Sequence, residues 1–266
     1  MKRSQSSEFI YQLFALITAA IIVHGIYVTV IRPQADSLVR EQLERQQQGE
    51  PYVVERSLFV VLKDFEQEAC FILLFWALAI MAYKARSVFA ERQLLQTSLL
   101  NLPEGTSILP EDARDLSRPL QALPEHQQPM LLPRSLVKAL QRFDTSKSVT
   151  DAANAVRETC DTESDRLDSE LAMVRYIAWA IPSIGFIGTV RGIGEALGQA
   201  HKAVEGDIIG VTVSLGVAFN STFIALVISI VVMFFSHQLQ LLQERLVLDT
   251  ENYCDRHLLR FLTVRD

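Results

Sequence analysis

Four apolar runs separated by polar stretches organise this chain, and they predict membrane-crossing helices rather than a globular core. The first run, residues 9–31, is interrupted by Gln12 and His24 and follows Lys2 and Arg3. A signal-peptide core would be only about 7–15 residues long and would be followed by a small-residue cleavage site, so this run is read as a retained span. The second, residues 69–85, is near the minimum of about 17 residues; Trp76 and Tyr83 suit its interfaces, and Lys84 and Arg86 close it. The third, residues 171–194, has Arg175 near its start and Arg191 near its end. The fourth, residues 211–235, carries no charged residue.

The polar stretches complete the layout. Residues 1–31 hold an N-terminal segment and the first span, and 32–68 form an extracytoplasmic loop. That loop has a glutamine patch (Gln46, Gln47, Gln48), a turn at Gly49-Glu50-Pro51 and a short apolar block at 57–62 leading into the second span. Residues 86–170 form a cytoplasmic domain. Pro103, Pro110, Pro119, Pro124, Pro129 and Pro133 predict an irregular connector in its middle, with helical flanks at 135–143 and at 149–174, the latter running into the third span. Residues 195–210 form a short extracytoplasmic loop. Residues 236–266 form a cytoplasmic amphipathic helix with Leu239, Leu242 and Leu246 at helical spacing. Lys2 and Arg3 before the first span, and Lys84, Arg86 and Arg92 after the second, put both termini in the cytoplasm. The fold class expected is all-α: a polytopic membrane protein with four transmembrane helices and a helical cytoplasmic domain.

Composition narrows the chemistry. Of 266 residues 49% are hydrophobic, concentrated in blocks, and the net charge of −6 argues against nucleic acid. Cys70, Cys160 and Cys254 fit neither a disulfide framework nor a metal site and are read as packed or free thiols. There is no phosphate-binding loop, and Gly192-Ile-Gly194 lacks the context of a dinucleotide fingerprint. With no nucleophile–base set either, the chain is read as a non-enzyme with no cofactor and no metal.

The third and fourth spans carry the informative residues. On a helix, Pro182, Gly185, Thr189 and Gly192 fall along one stripe, with Gly188 beside it. Ser214, Ala218, Ser221, Thr222, Ala225 and Ser229 form a second. Small faces allow close helix approach in lipid, which is the structural reading of both stripes. The functional reading is a polar path. Thr189 and Thr222 offer hydroxyls to water or to an ion-carrying group, Ser221 adjoins them, and Asn220 adds an amide to the path or to a helix contact. Neither span has an Asp, Glu or His in its middle, so a proton path here needs an acid from a partner.

The run Pro182-Ser-Ile-Gly185-Phe-Ile-Gly188-Thr189-Val-Arg-Gly192 resembles the third-helix motif of the MotA/TolQ/ExbB proton channel family. Gly216-Val-Ala-Phe-Asn-Ser221-Thr222-Phe-Ile-Ala225-Leu resembles its paired pore-helix motif. The resemblance implies a homo-oligomeric ring in the bacterial inner membrane, usually a pentamer. The ring would surround the single helices of a dimeric MotB/TolR/ExbD-like subunit that bears the essential Asp. Ion flow would then drive rotation or other mechanical work, as in a stator; the ion is read as a proton rather than sodium because the lining offers few oxygen ligands beyond the hydroxyls. It further implies pore roles for Thr189 and Thr222 and a helix-shaping role for Pro182. Val217 stands where TolQ and ExbB relatives carry an acid, and with the four-span layout this is closer to MotA. Arg191 occupies a usually apolar position, where it either guards the outer pore mouth or pairs with Glu195 one turn on.

Other residues keep plain readings. His24 hydrogen-bonds a neighbouring helix or titrates; Arg175 snorkels to the interface. The acidic residues Glu158, Asp161, Glu163, Asp165, Asp168 and Glu170 form a solvated helix face. The rival function is a membrane scaffold that assembles helices without conducting ions. A solute transporter is disfavoured because the sequence shows no internal repeat.

Overall fold

The computed structural model describes residues 2–47, 57–100, 106–205 and 208–264. The expected turn at Gly49-Glu50-Pro51, together with Gln48 and Pro103, lies outside the described residues. Among the described residues the fold is all-α; the one β pairing is a single parallel bridge between Ile108 and Leu262. The helices are α1 (Lys2–Ile26), α2 (Arg32–Gln47), α3 (Leu58–Leu62), α4 (Phe65–Leu95), α5 (Ala113–Gln121), α6 (Leu131–Ser146), α7 (Val149–Glu170), α8 (Ala172–Gly198), α9 (Ala200–Val204) and α10 (Ile209–His257). Among the described residues four helical stretches are long and apolar enough to cross a membrane: Ser7–Glu41, Phe65–Leu95, Val149–Gly198 and Ile209–Phe261.

The chain divides into two compact units, Met1–Ala82 with Met173–Ser236, and Tyr83–Ala172 with His237–Asp266. In the first unit, helix does not stop at residue 31, where the apolar pattern ends. A π-helical turn, Tyr27–Ile31, joins α1 to α2. The wider turn comes just before Pro33, whose ring would otherwise press on the carbonyl four residues back. Residues 34–47 are mostly Gln, Glu, Arg, Leu and other helix-compatible types, so helix continues beyond the apolar run. Likewise α4 begins at Phe65, before the apolar run starts, with Glu66 and Glu68 in its first turn, where the helix dipole favours acids. Hydrogen bonds tie α1 to α4: among them Trp76 Nε1 donates to the Gln12 carbonyl at 2.9 Å and Tyr11 Oη to the Ala79 carbonyl at 3.3 Å. Phe186, Trp179, Phe223 and Ile230 are exposed around α8 and α10, as lipid-facing or subunit-facing residues would be.

The second unit has a conventional core. Leu136, Leu140 and Phe143 of α6 pack with Val156 and Cys160 of α7, and Cys254 and Leu258 close the cluster. The proline-rich middle is more ordered than its composition predicts. Pro119 lies inside α5, which holds because Ala113, Ser117 and Leu120 bury one face at steps of four and three. Helix α6 starts at Leu131, placing Pro133 in the first turn, where no intrahelical N–H is missed. All three cysteines are buried and free.

The acidic residues of α7 do not form one solvated face. Glu158, Asp161, Asp165 and Asp168 are exposed, but Glu163 has only 3% of its side chain accessible. It shares the buried face of Val156, Cys160 and Leu167, and it accepts from Arg134 at 2.6 Å and from Arg166. Burial alone would raise its carboxyl; the two guanidinium groups outweigh this and hold it below the usual carboxylate range. Glu170 pairs with Lys84 at 2.8 Å and with Arg166 at 2.9 Å.

Candidate functional site

Helices α8 and α10 meet along a seam of small residues. Gly185, Gly188, Gly192 and Ala196 are buried on α8; Ser214, Ala218, Ser221, Ala225 and Ser229 are buried on α10. The glycines are sterically required. A Cβ at Gly188 would stand 2.5 Å from Ser221 Cβ. One at Gly192 would stand 2.7 Å from the Ser214 carbonyl oxygen, and one at Gly185 would collide with Ala225. Close packing of this kind is how helices associate without a hydrophobic driving force. Gly188, set beside the α8 stripe in the sequence, thus belongs to the contact itself, whereas Pro182 and Thr189 are only half-buried.

Two threonines face each other at this seam. The Thr189 and Thr222 hydroxyls are hydrogen-bonded to one another. Thr189 Oγ1 also lies 3.1 Å from the Ala218 carbonyl, and Thr222 Oγ1 lies 3.1 Å from the Gly185 carbonyl. Each hydroxyl has one proton and more than one acceptor, since Thr189 Oγ1 also lies 3.4 Å from the Gly185 carbonyl of its own helix. One threonine therefore donates to a carbonyl while the other donates to its hydroxyl partner. Ser221 Oγ donates to the Val217 carbonyl at 2.9 Å, and Asn220 is half-buried next to it.

Pro182 lies inside α8. Lacking an N–H, it leaves the Ala178 carbonyl, four residues back, without its helical donor. Ser229 Oγ of α10 donates to that carbonyl at 3.1 Å. Near the same turn, Cys70 of α4 lies with its Sγ 3.7 Å from the Ile181 carbonyl.

At the end of the seam near Gly192, the start of α4 adds charge that hydropathy alone had assigned to a loop. Arg191 forks onto Glu66 (Nε to Oε1 2.8 Å, Nη2 to Oε2 2.9 Å) and reaches Glu195 through Nη1 at 3.0 Å. The pairing with Glu195 is therefore present, but the bidentate partner is Glu66, a contact across 125 residues of sequence. Glu68, two residues on, accepts from Arg32, and its Oε1 is 2.6 Å from His24 Nδ1. His24 thus has an interhelical carboxylate partner. Gln67, between these two acids, is fully buried and donates to the Val61 carbonyl at 3.0 Å and to Ser221 Oγ at 3.4 Å. The sequence signal for this cluster is the run Asp64, Glu66, Gln67, Glu68 directly before an apolar span. Among the described residues no group of three His, Cys, Asp or Glu could hold a metal ion.

Residues 127–252 match the model of the MotA/TolQ/ExbB proton channel family. The match takes in α6, α7, α8 and most of α10, and so the whole α8–α10 seam. No curated protein and no solved structure matches the chain.

Proposed function

We propose that this chain, which carries a domain of the MotA/TolQ/ExbB proton channel family over residues 127–252, is the ring-forming subunit of a stator-like proton channel. Several copies, five in the usual family arrangement, would surround a dimeric MotB/TolR/ExbD-like single-span subunit and convert ion flow into rotation or other mechanical work. The observation that carries this reading is the Thr189–Thr222 pair, set in a seam whose two helices supply no acid at that depth. Hydroxyls on two helices that carry no titratable group of their own need a carboxylate from outside those helices, and in this reading the partner chain brings it. Protons fit better than sodium at the threonines, because two hydroxyls and a few carbonyls are a sparse oxygen set for a metal cation. The driving force suffices in kind, since one charge crossing 100 mV releases about 2.3 kcal/mol.

In this reading α1 and α8 run outward, α4 and α10 run inward, and both termini are cytoplasmic. The contacts of Glu66 with Arg191 and of Glu68 with His24 support that arrangement, since they put the ends of α1 and α8 beside the start of α4. Arg191 then guards the outer end of the path and Pro182 shapes the pore helix.

The test is purification from native membranes in mild detergent, then reconstitution into liposomes with a pH-sensitive dye. A substoichiometric single-span protein bearing a membrane Asp is expected, with proton uptake that Thr222→Val abolishes while the ring stays intact. A scaffold that only assembles helices is the second reading, favoured by the carbonyl contacts that already satisfy both threonines. Undiminished uptake in Thr222→Val, or a ring that purifies alone, would move it ahead.

A further inference from the structure

Gln67 and Asp64 hold acceptor oxygens that the described residues do not satisfy. Gln67 is 0% exposed and its Oε1 has no hydrogen-bond partner; Asp64 Oδ2 is likewise buried and without one. Asp64 Oδ1 looks toward Arg191, but at 3.9 Å, because Glu66 takes that guanidinium in both forks. The Gln67 side chain lies beside Asp64, and its Nε2 points to the Val61 carbonyl and Ser221 Oγ. Ser221 gives its own proton to Val217 and accepts the Gln67 amide, which leaves it a second lone pair. The unmet needs are thus all of one kind. Whatever meets them brings hydrogen or positive charge, since a buried unpaired acceptor costs about 1–3 kcal/mol.

The local charge agrees. Asp64, Glu66, Glu68 and Glu195 stand against Arg191, Arg32 and Lys63, with His24 on Glu68. With His24 neutral, the cluster carries one uncompensated negative charge. Five kinds of group face Asp64: Lys63 beside it, Glu66 and Gln67 on α4, Arg191 on α8, and Tyr27 from the π turn. Burial pushes the Asp64 carboxyl above its ordinary range against the pull of Lys63 and Arg191.

We propose that Asp64, Gln67 and Ser221 form a site for one monovalent positive charge, a proton or a sodium ion, that belongs to this chain and not to its partner. The site adjoins the threonine pair through Ser221 and Thr222 and makes the start of α4 a loading point for the path. Its place on a route rests on the proton-channel reading; its binding of charge does not.

Infrared difference spectroscopy of the purified full chain in lipid films tests it. If the occupant is a proton, raising the pH removes the carbonyl band of a protonated carboxylic acid in the wild type, and Asp64→Asn lacks that change. If it is sodium, exchange of potassium for sodium at fixed pH shifts a carboxylate band that Asp64→Asn lacks. Identical wild-type and Asp64→Asn spectra in both experiments overturn the proposal. Gln67→Leu keeps the acid and serves if Asp64→Asn does not fold. Gln67 pulls the Asp64 carboxyl down, so its loss should raise the midpoint of the Asp64 band or weaken the sodium shift, and spectra unchanged by it overturn the proposal. Failure of the channel reading shows separately, as absent proton uptake with these bands still present.

Discussion

Ser229 supplies Ala178 with the hydrogen bond that Pro182 withholds. A proline inside a membrane helix frees a carbonyl that lipid cannot solvate, and here a hydroxyl from the facing helix meets it at 3.1 Å. The proline and its remedy lie on the two helices that form the candidate path, so the backbone hydrogen bonding of α8 is completed by its contact with α10. Ser229→Ala should therefore lower thermal stability in detergent by about 1–3 kcal/mol. In a Pro182→Ala background, where the amide returns, the same change should cost much less. A double-mutant cycle measures the coupling, and independent, additive effects would show that Ser229 does not serve the carbonyl.

The glycines of α8 set the helix separation. Gly188→Val places branched carbons where a single Cβ already meets Ser221 at 2.5 Å. The helices must part, which removes the Thr189–Thr222 hydrogen bond. Gly194→Ala, with open space around its Cβ, is the control. Proton uptake should fall at least tenfold in the first variant and hold in the second.

Arg191 and Glu66 form a two-bond charge pair, the geometry in which guanidinium recognition is strongest. Arg191→Gln leaves Glu66, Asp64 and Glu195 facing one another without their shared cation, so melting temperature should drop in low salt and partly recover in high salt. Glu66→Gln should be milder, since Arg191 keeps Glu195. The charge-exchanged pair Glu66→Arg with Arg191→Glu should recover part of the loss; no recovery would mean that the fork's position, and not its charge, matters.

Glu163 gives the second unit a pH dependence of known sign. Its folded carboxyl is held below the usual range, while the unfolded chain titrates near about 4.3. The folded state therefore binds fewer protons, and the stabilisation is full above the unfolded value and lost as pH falls through the folded one. Wild-type protein should lose stability on acidification below about pH 5. Glu163→Gln, less stable at neutral pH because Arg134 and Arg166 lose their shared anion, should show a shallower acid slope in thermal melts.

The sequence made the membrane helices and the α8–α10 seam legible for a simple reason: hydropathy and helical spacing are local. Gly185, Gly192, Ser214, Ala218, Ser221 and Ala225 can be placed on two small-residue stripes from periodicity alone; that the stripes face one another is seen in the contacts. The cluster at the start of α4 could not be found that way. Its partners lie 36, 44 and 125 residues distant, and charged residues next to an apolar run look the same whether they face water or a neighbouring helix. Glu163 was hidden for a related reason. Its acidic neighbours suggest a wet face, and only its register with Val156, Cys160 and Leu167 marks it as inward. Helix α5 escaped notice because the count of prolines outweighed the spacing of Ala113, Ser117 and Leu120.

The threonine pair also behaves as a two-state dipole. In one arrangement Thr222 donates to the Gly185 carbonyl and Thr189 donates to Thr222; in the other Thr189 donates to the Ala218 carbonyl and Thr222 donates to Thr189. Both use the same heavy-atom positions and differ only by rotation about two C–O bonds. The pair can reverse its polarity without either helix moving, so in the proposed channel an approaching charge would meet a contact able to reorient while the joint between α8 and α10 stays closed.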